Sequence, residues 1–245
     1  MIPLPRFAYG PHEQGVAGHR GKLARVDTES DARAQGGSRN GEWWLRALAV
    51  LTNPVSTFLA LRDDSKEAEE AREEPVLAIV ILAGMAAILG TPGYVGNLLD
   101  DPERDALVVA VLVFLTGALY GAATYWVGGG ALALGLRAAG GESTYRHARH
   151  ILAFAAVPAA LSLVLVWPVA LAAYGGDLFR EGGADEEGVA TWLLPLAQAA
   201  FFAWSFVVLV VGVRTVHDWP IVRALGAIAL AVLALLGLGL VFSVL

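Results

Sequence analysis

Five apolar runs fill the chain from Pro75 to Leu245, and they leave it few ways to fold. They are Pro75 to Thr91, Ala106 to Leu136, Ile151 to Tyr174, Val189 to Val213 and Ile221 to Leu245. The only charged residue within them is Arg223, in the first turn of the last run. A bilayer core about 30 Å thick needs roughly 17–25 such residues of helix to cross it. Inside it every backbone amide must be satisfied within its own segment, which selects helices. The expectation is an all-α polytopic membrane protein: a five-transmembrane-helix bundle preceded by interfacial amphipathic helices. Composition agrees, with 56% hydrophobic and 16% charged residues, where soluble domains carry about a quarter charged.

The expected spans are about 75–91, 106–127, 151–174, 189–213 and 221–245. The first is short, at roughly 17 residues. The second run is too long for one upright crossing. Trp126 followed by Gly128-Gly129-Gly130 predicts that its helix stops or bends there, leaving Ala131 to Leu136 at the interface. Pro158 and Pro168 interrupt the third run, and Pro195 stands near the start of the fourth.

The preceding segments divide into two. Residues 1–41 are polar, rich in Gly and Arg, and read as a disordered cytoplasmic tail. Their opening residues lack the apolar core of a cleavable signal. Residues 42–74 read as interfacial helices followed by an acidic connector. Trp43, Trp44 and Arg46 suit the headgroup layer. Asn53 caps a second helical piece that begins at Pro54.

Lys and Arg near the runs set the orientation. One side holds Arg62, Lys66, Arg72, Arg137, Arg146, Arg149, Arg214 and Arg223; the other holds Arg104 and Arg180 among many acids. This predicts a multi-pass protein of the cytoplasmic membrane, N-terminus inside and C-terminus outside.

Several function classes fall away. With no cysteine, thiolate catalysis and Cys-ligated metals are excluded. A net charge of −6 without a basic, aromatic-interleaved stripe gives no reason to expect nucleic acid. No catalytic motif is present, so neither enzymatic activity nor a cofactor is expected. Pumps place ionisable groups at membrane depth, and these runs hold none there. Gln198, Thr116, Thr124, Ser162 and Ser205 are expected to hydrogen-bond between helices. Gly117 and Gly121 form a Gly-x-x-x-Gly packing face, within the chain or, alternatively, in a homodimer.

The charged turns carry the candidate site. His147 and His150 could share a helix face, with His217 on the other inner turn; a metal-binding sensor is the weak alternative, because neighbouring arginines repel a cation. The arginines suit phosphate. Tyr145, Arg146, Arg149, His150, Arg214, His217 and Arg223 are therefore expected to form one inner-face site for an anionic lipid headgroup or a cytoplasmic protein partner. The predicted role is a membrane-organising or docking scaffold. Its rival is a lipid transporter or channel with a path between helices broken at Gly128, Pro158 and Pro168.

At these turns the chain resembles the Yip-one (Ypt-interacting protein) domain family. Asn53-Pro54 followed by Phe58 is similar to the start of its prokaryotic members. Gly141, Tyr145, Arg146, Ala153 and Pro158 match a spaced family pattern. Trp204, Gly212, His217 and Arg223-Ala224 resemble its last-turn pattern, with Asp218 where the family has glycine and Arg223 where it has lysine. The resemblance covers roughly residues 51–245 and implies five helices with a cytoplasmic N-terminus. Eukaryotic members bind Rab-type GTPases and serve vesicle traffic, but no Rab-binding residues carry over to this chain.

Overall fold

A computed structural model describes residues 43–62, 66–91, 105–179 and 188–244, with backbone alone at 66–74, 106, 190, 242 and 244. The expected tail 1–41 and the side chains of the acidic connector lie outside the described residues. Every regular element among the described residues is helical. Two short helices come first, α1 (residues 43–49) and α2 (Pro54–Ala60). Then follow α3 (Lys66–Leu89), α4 (Ala106–Ala123), a π-helical turn (Thr124–Gly128) and α5 (Gly129–Ala138). After a loop come α6 (Tyr145–Ala155), α7 (Val157–Leu165), α8 (Trp167–Tyr174) and a 3₁₀ turn (Gly175–Phe179). The last two are α9 (Ala190–His217) and α10 (Ile221–Val244).

Four stretches are long and apolar enough to cross a membrane: Leu107–Ala138, Tyr145–Phe179, Thr191–His217 and Ile221–Val241. This is a multi-pass membrane protein. The fifth expected crossing rests on the apolar part of α3, Pro75–Leu89, about 22 Å long at 1.5 Å per residue. That falls short of the usual hydrocarbon thickness, so four crossings meet the length requirement and one does not.

Polar residues cap the starts of α2, α4 and α6. Asn53 Oδ1 accepts the Ser56 N–H at 3.4 Å ahead of Pro54, Asp105 accepts the Leu107 N–H at 3.2 Å, and the Thr144 hydroxyl accepts the His147 N–H at 3.1 Å. Each bond satisfies an amide that the first helical turn cannot.

Prolines break the third crossing as expected, at Ala156 and Val166, two residues before Pro158 and Pro168. A proline lacks the amide hydrogen and crowds the carbonyl four residues back. The Ala159 N–H beyond the first break is taken up by Ser205 Oγ of α9 at 3.0 Å. Gln198, also on α9, donates to Ser162 Oγ (2.9 Å) and to the Ala86 carbonyl (3.3 Å). These are the interhelical bonds expected of Gln198, Ser162 and Ser205.

The second crossing departs from expectation. Its helix does not stop at the glycine triplet; it passes through the π-turn and continues to Ala138. The glycines serve close packing instead. A Cβ on Gly129 would collide with the Arg149 side chain, and one on Gly128 would sit 3.2 Å from Leu152 Cδ2. Helix α6 therefore lies directly on the π-turn.

Helices α3 and α4 make the most extensive packing in the bundle. Gly84 faces Gly117 and Gly121 so closely that a Cβ on Gly84 would collide with the opposing backbone. Gly135 of α5 meets Ala227 and Ala231 of α10 in the same way. The larger core joins Phe58, Leu136, Ile151, Phe154 and Val213, all almost fully buried, with Trp43 and Trp219. A smaller one at the other end gathers Ile88, Leu89, Val109, Val113, Ala170, Leu178 and Phe179.

Candidate functional site

The site begins at the end of α5. Gly140, with φ 83°, turns the chain out of the helix, and the Gly141 N–H returns to the Leu136 carbonyl at 2.9 Å. This is a glycine-terminated C-cap that still leaves carbonyls facing outward. Arg223, from the first turn of α10, fills that role. It donates to the Ala139 carbonyl through Nε (2.9 Å) and Nη2 (2.7 Å), and to the Gly140 carbonyl at 3.2 Å. A guanidinium suits the negative end of a helix. It also lies 4.2 Å over the Trp219 ring.

The second turn packs against the first. Trp219 lies so near Gly141 that a Cβ there would stand 2.8 Å from its ring. His217 stacks on Trp219 at 4.8 Å, and His147 of α6 and Arg62 are close enough to act on it electrostatically. Arg62 also donates to the Thr215 carbonyl at the end of α9. Asp218 takes the left-handed conformation, φ 53°, which Asp tolerates better than most residues.

The third part is built on α6. The Tyr145 hydroxyl donates to the Trp126 carbonyl at 2.9 Å, supporting the π-turn. The Arg149 guanidinium lies 4.7 Å over both the Tyr125 and the Tyr145 rings. Its Nε is buried and has no hydrogen-bond partner among the described residues.

The predicted site residues thus take different positions. Arg223 is engaged on α5, His217 is stacked and partly buried, and Tyr145 and Arg149 bracket the π-turn. Arg146 and Arg214 are exposed at the same end, whereas His150 is 2% exposed, inside the larger core face of α6. Gly117 and Gly121 pack on α3 within the chain. No group of three or more His, Asp or Glu among the described residues is placed to hold a metal.

Beside this cluster lies a crevice of about 220 Å³ that sequence reasoning did not find. Gly84 and Ala87 of α3, Thr124 of the π-turn, Leu152 and Ala156 at the α6–α7 break, and Phe206 of α9 help line it. It forms because small residues and two helix irregularities coincide, and no linear motif records that. Arg62, Tyr125 and Trp219 were also missed as members of the cluster. The aromatic pair Tyr125-Trp126 beside the glycine triplet was the available signal.

The sequence model of the Yip1 domain matches residues 48–243, most of the chain. The chain belongs to the Yip1 domain family. No curated protein matches it, and no solved structure does. Within the Yip1 domain, residues that carry the family resemblance meet in space although far apart in sequence. Phe58, after Asn53-Pro54, lies where a Cβ on Gly212 would stand 2.7 Å from its ring. Gly141 admits Trp219, and Arg223 holds the carbonyls just before Gly141. Phe58, Gly141, Gly212 and Arg223 of the family's spaced pattern therefore lie at one end of the bundle.

Proposed function

We propose that this Yip1 domain protein is a non-enzymatic membrane scaffold that holds an anionic lipid headgroup at the pole where its two basic turns meet. In this reading the bundle has five crossings, with α3 the shortest, the N-terminus in the cytosol and the C-terminus outside. The observation that carries it is the contact between the turns. Arg223 and Trp219 seat on Ala139 to Gly141, gathering Arg146, Arg149, Arg214 and Arg223 at one pole. Arg146 and Arg214 are exposed and would meet the headgroup, while Arg223 holds the turns together. Clustered arginines beside a crossing favour anionic lipid. A cytoplasmic protein partner could use the same exposed charges.

The outward faces of α1 and α2 support a place in the headgroup layer. Trp44, Leu45, Leu48, Val55 and Leu59 are exposed there, while Trp43, Val50 and Phe58 are buried against the bundle. An exposed apolar face of that extent suits lipid rather than water.

The test is native mass spectrometry of protein carrying Arg146→Gln and Arg214→Gln, released from micelles doped with phosphatidylglycerol or phosphatidylcholine. Retention of phosphatidylglycerol should fall about tenfold, equivalent to roughly 1.4 kcal/mol, with phosphatidylcholine unaffected. Equal retention by the parent and the double variant removes the headgroup reading.

A further inference from the structure

We propose that the crevice between α3, the π-turn, the α6–α7 break and α9 seats one acyl chain of an anionic phospholipid whose headgroup lies against Arg149. This rests on the headgroup reading above and adds the rest of the ligand.

The crevice is about 220 Å³ and almost wholly apolar. Its polar lining side chains beyond the Tyr120 phenol are Thr124 and Ser205, and Ser205 already accepts the Ala159 N–H. Water occupies about 30 Å³ per molecule and needs two to four polar partners, so this space is poorly suited to a water cluster. Its rim residues Tyr120 and Phe206 are each about half exposed. In a membrane-spanning bundle at this depth, the surrounding medium is lipid tail. A flexible hydrocarbon chain fits both the shape and the chemistry of the opening.

Charge supplies the direction. Leu152, in the wall, lies three residues beyond Arg149 on α6, and residues at that spacing share a face. Thr124, in the opposite wall, precedes Tyr125, whose ring carries the Arg149 guanidinium. The α6 wall of the crevice is thus one helical turn from the Arg149 guanidinium, whose Nε has no hydrogen-bond partner among the described residues. A phosphodiester above an inserted tail would bond to the accessible part of that guanidinium, and a charge-assisted bond of this kind is among the strong ones. The glycines at 128 and 129 keep Arg149 and Leu152 pressed to the π-turn, so head and tail contacts lie on one helix face.

The experiment uses the full chain in phosphatidylcholine nanodiscs containing a small fraction of phosphatidylglycerol with a diazirine in its tail. A phosphatidylcholine probe with the same tail serves as the comparison. Irradiation should label residues 120–124, 152–159 and 202–209 above the general lipid-facing surface. Ala87→Leu and Ala156→Leu fill the space from different helices, and either variant that keeps the parent's melting profile should cut this labelling about tenfold. Arg149→Gln should remove the preference for the phosphatidylglycerol probe while tail labelling persists. Labelling spread evenly over exposed positions such as Leu119, Val207 and Leu236, or unchanged in both folded fillers, overturns the proposal. Preserved probe preference in Arg149→Gln overturns the headgroup contact at this arginine. Loss of retention in the Arg146/Arg214 test does not depend on the fillers, so the two readings can fail separately.

Discussion

The two ends of the bundle are held by different means. At the arginine end, side chains reach from one element to the carbonyls of another: Arg62 to Thr215, Arg223 to Ala139 and Gly140, Tyr145 to Trp126 in the π-turn. Large aromatics pack beneath them, among them Phe58, Phe154 and Trp219. Among the described residues, the opposite end shows a smaller core around Val109, Val113, Leu178 and Phe179, with Asp105 capping its own helix. In lipid, apolar contact discriminates poorly between helix arrangements because tails are equally apolar, whereas bonds to particular carbonyls do discriminate. Among the described residues, the arginine end therefore carries the contacts that best discriminate between helix arrangements.

The strongest way to break this contrast is to remove one core side chain from each end. Phe154→Ala should destabilise by about 3 kcal/mol and Val113→Ala by about 1 kcal/mol, because the first leaves the larger cavity. Unfolding in mixed micelles followed by circular dichroism compares them, and equal losses would erase the distinction. Arg223→Met comes next, at about 2 kcal/mol, since hydrogen bonds from a charged donor to α5 are lost while the stem's packing is kept. Arg223→Lys should recover only part of this, because a single ammonium does not reproduce the fork across Ala139 and Gly140. The smallest effect sharpens the picture in the opposite direction. Asp218→Gly should raise stability by about 0.5 kcal/mol, because the left-handed backbone there suits glycine better. A lower melting temperature for this variant would mean that the Asp218 side chain contributes something its backbone strain does not reveal.

Much of this architecture was legible in the amino-acid order. The apolar runs located the long helices, and Pro158 and Pro168 located the breaks, because a missing amide hydrogen acts locally. Asn53 and Pro54 announced α2 for the same reason. What was not legible depended on neighbours distant in sequence. Gly128-Gly129-Gly130 resembles a helix end when only backbone entropy is considered; with Arg149 and Leu152 against it, the triplet is a contact surface. Arg223 read as part of the site for an anionic headgroup or protein partner, and only the position of α5 reveals the carbonyls it holds. His150 sat in a polar stretch, yet the turn of α6 carries it inward beside Ile151 and Phe154. The departure at Asp218 from the family's glycine has a local meaning once φ is known.

Ser205 and Gln198 have one more effect, on movement. If α9 slid along its axis by one turn, about 5.4 Å, the Ala159 amide would lose its acceptor. The Gln198 carboxamide would also be pulled from Ser162 and Ala86. Stranded polar groups are costly in hydrocarbon, so lengthwise travel is latched at two points. Rocking about those same points keeps both latches closed. Any shape change in this bundle is thereby steered toward tilt, with the rods pivoting at mid-height and opening or narrowing the flank on which the crevice lies.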